Sequence, residues 1–259
     1  MIERIFILEN KKIKGIEKEK QKIINLLKSC GKVVEKNFKN PDLILTMGGN
    51  GTILKAIGFL KNEKTLIYGI KYGKTGFLTN SSENIEDEIK KILNGNFNFS
   101  ERILLEIEVK KNRKKVFKSR ALNDLLIQRK GIRIIEIRVE INNEEVFNFR
   151  GDGIIISTPT GSTGHSLSCG GPIIFPDVEC FLLTPFSPYT LSIRPLILSS
   201  DKKIKVNISP EGKIICDGQK EFDIDEEDFI EIKKSRIKAK LILKDKFFDK
   251  LYSKFGFGR

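Results

Sequence analysis

The sequence predicts an α/β N-terminal domain built on a parallel sheet, followed by a mainly β C-terminal domain. Three observations carry that reading. Up to Gly95, short apolar runs alternate with amphipathic stretches of helical period. Within that half, the buried-type run Leu43–Ile44–Leu45–Thr46 leads directly into Gly48–Gly49–Asn50–Gly51–Thr52 and another helical stretch. Beyond Asn96 the texture changes to long segments in which apolar and polar residues alternate with the two-residue period of a strand.

Taken in order, Ile5 to Leu8 reads as a first strand, Ile16 to Ser29 as a lysine-rich helix and Val33–Val34 as a second strand. The strand at Leu43 follows, then a helix running from the glycines through Leu60. Leu66 to Ile70 is another strand, and Asn84 to Leu93 a helix stopped by Asn94–Gly95. Strand-like alternation then marks Leu104 to Lys110, Ile132 to Ile141, Ile154 to Ser157, Lys203 to Ile208 and Phe229 to Ile232. Asn142–Asn143 and Pro210–Glu211–Gly212 read as turns between such strands. With no repeat and no low-complexity linker, the change of class near 95 to 100 implies packed domains with a cleft between them. The expected division is 1–96 and 97–239, with the segment at about 240–259 returning to the first domain.

At 259 residues, 39% hydrophobic and 31% charged, the chain has the composition of a globular protein that needs no disulfide or metal staple. No stretch approaches the roughly 20 apolar residues of a membrane span. Met1 to Asn10 lacks the pattern of a signal peptide, so a cytoplasmic location is expected. Cys30, Cys169, Cys180 and Cys216 form no Cys-x-x-Cys pair, and one histidine cannot complete a zinc finger, so reduced thiols and no protein-held metal are expected. The net charge of +13 suits nucleic acid, an anionic membrane or a small polyanion equally. Lysines and glutamates are interleaved, which also fits a solvated, heat-adapted surface. No nucleic-acid recognition motif accompanies the charge.

Three segments carry chemistry. Gly48, Gly49, Gly51 and Thr52 around Asn50 form a turn whose glycines let backbone approach a pyrophosphate while the next helix offers free N–H groups; a plain tight turn fits the same residues. Gly69 to Thr75 imitates a Walker A loop but is one residue short between its glycines. The run Asp152–Gly153–Ile154–Ile155–Ile156–Ser157–Thr158–Pro159–Thr160–Gly161–Ser162–Thr163 is more specific: a strand opened by an acid and closed by a loop dense in hydroxyls, with Ser166, Ser168 and Gly170–Gly171–Pro172 following. Such a loop offers several donors to a polar ligand. Between them, Asn123–Asp124 closes a strand-like segment and pairs an amide with an acid, a combination suited to ribose hydroxyls or to an ordinary turn.

In order along the chain, these segments and the late Asp217–Gly218–Gln219 resemble the NAD kinases, as do Gly73–Lys74–Thr75–Gly76–Phe77–Leu78 and the blocks from Thr184–Pro185 to Arg194–Pro195. The Ser-Thr-Pro-Thr-Gly-Ser-Thr run is the most diagnostic; the glycine turn is shared with diacylglycerol kinases and phosphofructokinases. The resemblance implies a Rossmann-like N-terminal domain, a mainly β C-terminal domain, and a homo-oligomer, dimer or tetramer, in which a neighbouring subunit completes the site. It implies phosphoryl transfer from ATP or polyphosphate, carrying Mg²⁺, to the adenosine-ribose 2′-hydroxyl of NAD to give NADP. It places Asn123 and Asp124 on the ribose and adenine side, Phe77 near the adenine, and Asp152, Thr163 and Ser168 in the nicotinamide or second-nucleotide region.

Two positions depart from the pattern. Where the family usually has Gly-Gly-Asp-Gly, with the aspartate taking the proton of the attacking hydroxyl, this chain has Asn50, and a carboxamide accepts no proton near neutrality. Slow turnover on a well-formed site is therefore expected. Gly164–His165 stands where alanine and tyrosine are usual; stacking or hydrogen bonding to ligand is expected of His165 ahead of a substitute-base role. The competing readings are a module that binds NAD or NADP without turnover, and a lipid or sugar kinase sharing the glycine turn.

Overall fold

The computed structural model describes residues 2–72 and 76–258. The chain divides into two units, one holding residues up to Glu101 and from Ala239 onward, the other Arg102–Lys238. Gly73, Lys74 and Thr75, part of the block resembling the family at 73–78, lie outside the described residues.

The first unit is a parallel α/β layer. Strands β1 (Arg4–Glu9), β2 (Val33–Glu35), β3 (Leu43–Gly48) and β4 (Leu66–Lys71) alternate with helices α1 (Ile16–Ser29) and α2 (Asn50–Ile57). Helix α3 (Ile85–Leu93) and β5 (Phe99–Arg102) follow, and the chain returns later as β17 (Ala239–Ile242) and α5 (Phe247–Phe255). The strand order is β2-β1-β3-β4-β17-β5, with β1, β2, β3, β4 and β17 paired in parallel. All six residues of β3 are buried, as expected of a central strand whose faces are both covered. Helix α1 has the bounds its periodicity indicates and buries Ile16, Ile23 and Leu27 against the sheet while its lysines stay outside. Helix α2 stops at Ile57 rather than Leu60, because Gly58, Phe59 and Leu60 donate to carbonyls three residues back and tighten the last turn. The returning segment is fastened by Asn80, whose Nδ2 donates to the Ile242 carbonyl and whose Oδ1 accepts from the Lys244 N–H.

In the second unit every described strand pair is antiparallel. Its strands are β6 (Leu105–Lys111), β7 (Lys114–Ala121), β8 (Asp124–Arg129), β9 (Ile135–Ile141), β10 (Glu144–Ser157), β11 (Cys180–Pro188), β12 (Leu196–Ser199), β13 (Ile204–Ser209), β14 (Glu211–Cys216), β15 (Lys220–Asp225) and β16 (Asp228–Lys234). They run β15-β14-β8-β10-β9-β13-β16-β6-β7, with β11 on the last half of β10 and β12 beside it. The sheet curls until its ends meet, Phe117 of β7 packing on Phe222 of β15 with centroids 5.0 Å apart. Inside lies one core of Ile107, Ile127, Ile137, Ile154, Phe181, Val206 and their neighbours. Outside, the interleaved lysines and glutamates become cross-strand ion pairs, such as Glu106 with Lys118 and Lys233 and Glu108 with Lys115.

Two further sequence expectations are corrected in this unit. Pro210 alone separates β13 from β14; Glu211 and Gly212 are strand, paired with Asp225 and Ile224. Gly212 is needed there because a Cβ would come within 2.5 Å of the Gln128 carbonyl oxygen on β8. Strand β9 begins at Ile135, leaving Ile132 in the loop at 93% exposure.

Candidate functional site

The glycine turn lies at the carboxyl end of β3, beside the end of β1, where the strand order reverses; open α/β sheets bind ligands at such a point. Gly48 is packed so closely that a Cβ would overlap the Thr52 hydroxyl and approach Asn10 to 3.1 Å. Gly49 caps α2 in an extended conformation without a side-chain cap, so no side chain of its own covers the first N–H groups of the helix. Thr52 is buried, and its N–H donates to the Gly49 carbonyl. Asn50, the first residue of α2, turns its Oδ1 toward the chain: it accepts the N–H groups of Phe77 and Leu78, each at 2.9 Å. The amide thus ties one loop to the helix start, and its remaining Nδ2 group is a donor. Phe77 sits half-buried against α5, its ring 5.8 Å from Phe247 and 6.1 Å from Phe255.

In the second unit the Asn123–Asp124 turn joins β7 to β8. It is held by Asp217, in the hairpin turn between β14 and β15, whose carboxylate accepts N–H bonds from Leu122 (2.7 Å), Asn123 (2.7 Å) and Asp124 (3.1 Å). The Asp217 N–H donates back to the Asp124 carbonyl at 3.0 Å. From the other side Thr158 clamps the same turn, its N–H donating to the Asn123 carbonyl at 2.9 Å and its hydroxyl to the Leu122 carbonyl at 2.5 Å. Gly161 lies flush on it, where a Cβ would overlap the Asn123 carbonyl oxygen.

What this framework presents is polar and partly unsatisfied. The Asn123 Oδ1 and the Ser157 Oγ are buried without a partner among the described residues, and Ser157 sits directly opposite Asp124 across the β8–β10 ladder. Burial pushes the Asp124 carboxyl up to about 6. Burial, opposed by the three backbone N–H bonds and assisted by the neighbouring Asp124 charge, pushes Asp217 up to about 7. A Cβ on Gly164 would lie 3.8 Å from the Asp124 Oδ2 and 3.9 Å from the Asn123 Nδ2, so Gly164 borders the same space.

The hydroxyl-rich loop is turned more inward than its composition suggests. Ser162 Oγ bridges Pro159 and Ile174, Ser166 Oγ shares a 2.7 Å bond with Thr184, and Thr163 Oγ1 donates to the Thr160 carbonyl at 3.3 Å. These groups build the loop and are not open donors. Ser168 and His165 are exposed on the short helix α4 (His165–Ser168), with the imidazole edge-on to Phe186 at 5.8 Å. Asp152 stands apart: it is five residues from Ser157 on β10, about 17 Å along the strand, and pairs with Arg129 Nε at 2.6 Å. The structure therefore groups Asn123, Asp124 and Gly164, and does not bring Asp152 to them. Ser157 and Asp217 belong to this group as well, though their residue types alone did not mark them as such.

Residues 5–97 match the ATP-NAD kinase N-terminal domain, and residues 122–244 the ATP-NAD kinase C-terminal domain. The NAD kinase of Thermoanaerobacter sp. (strain X514) is 39% identical over 224 residues, covering 84% of this chain and 79% of that protein. The crystal structure of an NAD kinase from Archaeoglobus fulgidus in complex with ATP superposes with a TM-score of 0.81 at 30% identity, over 96% of this chain and 97% of the other. Yeast NADH kinase complexed with NADH shares the fold, with a TM-score of 0.93 at 22% identity, over 99% and 88% of the two chains.

Proposed function

The chain belongs to the NAD kinase family and is an NAD kinase, and on that premise we propose that its glycine turn holds the donor's phosphates while the Asn123–Asp124 turn holds the dinucleotide. The observation that carries the second assignment is the group of unsatisfied polar atoms, Asn123 Oδ1 and Ser157 Oγ, around the buried Asp124 carboxylate. Vicinal ribose hydroxyls, which donate and accept, would satisfy all three. For the first, the uncapped start of α2 supplies N–H groups and positive dipole to an anion. The donor is ATP or polyphosphate, and Mg²⁺ arrives on it as part of the substrate. Catalysis is then chiefly positioning and charge neutralisation. Phe77 packs on the adenine.

Asn50 keeps the tether to Phe77 and Leu78 but puts an N–H donor where a carboxylate would keep a free oxygen. We expect binding to be intact and turnover slow. Asn50→Asp should raise kcat about 10²–10⁴-fold with NAD affinity little changed, measured as NADP formation beside a binding isotherm. Equal rates in the two proteins would sink the proposal that a missing base limits the reaction. Binding without turnover in both would favour the NAD- or NADP-binding module.

Asp152, with Thr163, His165 and Ser168, is assigned to the nicotinamide or second-nucleotide region. Its distance from Asp124 along β10 supports a role in a site shared with a neighbouring subunit. Near that end of β10 lie Ile132, Tyr189 and Leu191, exposed by 93%, 79% and 84%. Such apolar exposure favours a homo-oligomer, dimer or tetramer; the cytoplasmic location and the lack of a nucleic-acid partner rest on the sequence alone. No described helix is long and apolar enough to cross a membrane.

A further inference from the structure

We infer that Asp217 is a positioning residue for the dinucleotide: by gathering the Leu122, Asn123 and Asp124 N–H groups onto one carboxylate, it sets the direction in which Asn123 and Asp124 face the ribose. This rests on the reading of that turn as the dinucleotide's holder and deepens it. Three N–H donors converge on Asp217 at 2.7, 2.7 and 3.1 Å, and its own N–H returns to Asp124. Asp217 comes from a different hairpin, 93 residues from Asp124 in sequence; its φ of 52° and the 62° of Gly218 belong to the tight hairpin turn that presents its side chain. A side chain serving only the hairpin would bond within it. Thr158 holds the Leu122 and Asn123 carbonyls from the other side, so Asp217 is the group that fixes the N–H side of the turn, while the Asn123 Oδ1 stays unpartnered among the described residues.

The device needs charge. Ionised, the carboxylate is all acceptor; protonated, one oxygen becomes a donor facing N–H donors, and the gathering fails. The titratable groups around it are the Asp124 carboxyl, the Cys216 thiol, which burial pushes up to about 12, and the Lys220 ammonium. Cys169 faces Asp124. Burial and the Asp124 charge bring Asp217's protonation close to neutrality. Acidification should therefore loosen the turn while relieving a buried charge, so NAD affinity and global stability move in opposite directions.

The test uses the full chain. Asp217→Asn, which keeps shape but supplies one acceptor oxygen, should raise the KM for NAD about ten- to a hundredfold. The KM for ATP should be unchanged and kcat should move far less. In the unsubstituted protein, NAD affinity should fall between pH 8 and pH 6 as thermal stability rises, and Asp217→Asn should lose the upper part of that fall. An unchanged KM for NAD in Asp217→Asn, while Asp124→Ala raises it, overturns the inference alone. An unchanged KM in Asp124→Ala overturns the reading of the turn and the inference with it. If Asp217→Asn does not fold, the pH titration of the unsubstituted protein decides, and affinity and stability falling together overturn the inference.

Discussion

The Phe77–Leu78 loop and the Leu122–Asp124 turn are each held by one side chain that accepts several backbone N–H groups, but the two tethers differ in charge. Asn50 is neutral at any working pH and binds two donors from a helix start exposed enough to meet phosphate. Asp217 is ionisable, buried and binds three. A neutral tether beside an anion site avoids adding repulsion to it, whereas a charged tether gathers more donors but makes its turn sensitive to protons. On the proposed assignments, the turn held by Asn50 is indifferent to pH and the turn held by Asp217 is not.

The contrast can be broken most forcefully at Gly161. An added methyl there would overlap the Asn123 carbonyl, so Gly161→Ala should cost about 1–3 kcal/mol in stability and displace the Asp217-held turn. NAD affinity should collapse while ATP affinity survives, a difference that paired isotherms would read. A smaller effect sharpens the comparison. Asp124 and Asp217 have folded pKa values raised to about 6 and about 7 above the ordinary 3.8, so the folded state binds their protons more tightly than the unfolded chain. Their stabilisation is complete below the unfolded value and is lost as pH rises through about 6 to 7. Chemical denaturation should show stability increasing from pH 8 to pH 5, and Asp124→Asn should flatten part of that slope; a constant stability would contradict it. Glu179, held down to about 2 by Lys234 and Lys238, acts in the opposite sense only in stronger acid. The least effect is expected at His165, exposed and edge-on to Phe186. His165→Phe should keep kcat within about threefold, since a ring that stacks replaces a ring that stacks; a loss of a hundredfold or more would restore the substitute base.

Much of the first unit is legible in the sequence because its elements are buried on a regular period. Helix α1 and strand β3 announce themselves through Ile16, Ile23 and Leu27 and through an unbroken apolar run. Strands β7 and β15 do not, because one face is solvated and rich in lysine or acid, leaving only a few apolar residues such as Phe117 and Phe222 to mark them. In the candidate site, residue chemistry could be read but not direction. The hydroxyls of Ser162 and Ser166 face into their own loop, and only the pairing of Cys216 with Leu125 brings Asp217 to the Asn123–Asp124 turn. That pairing is long-range, and no local pattern around Asp217 encodes it.

Amide hydrogen exchange at the two tethered turns, followed from pH 8 to pH 5 and corrected for intrinsic rates, tests the difference between the tethers most directly. Protection of the Leu122, Asn123 and Asp124 amides should fall as Asp217 takes up its proton, while that of Phe77 and Leu78 stays constant. Protection that holds at both turns, or falls equally at both, would contradict the assignment of a charged tether to one and a neutral tether to the other.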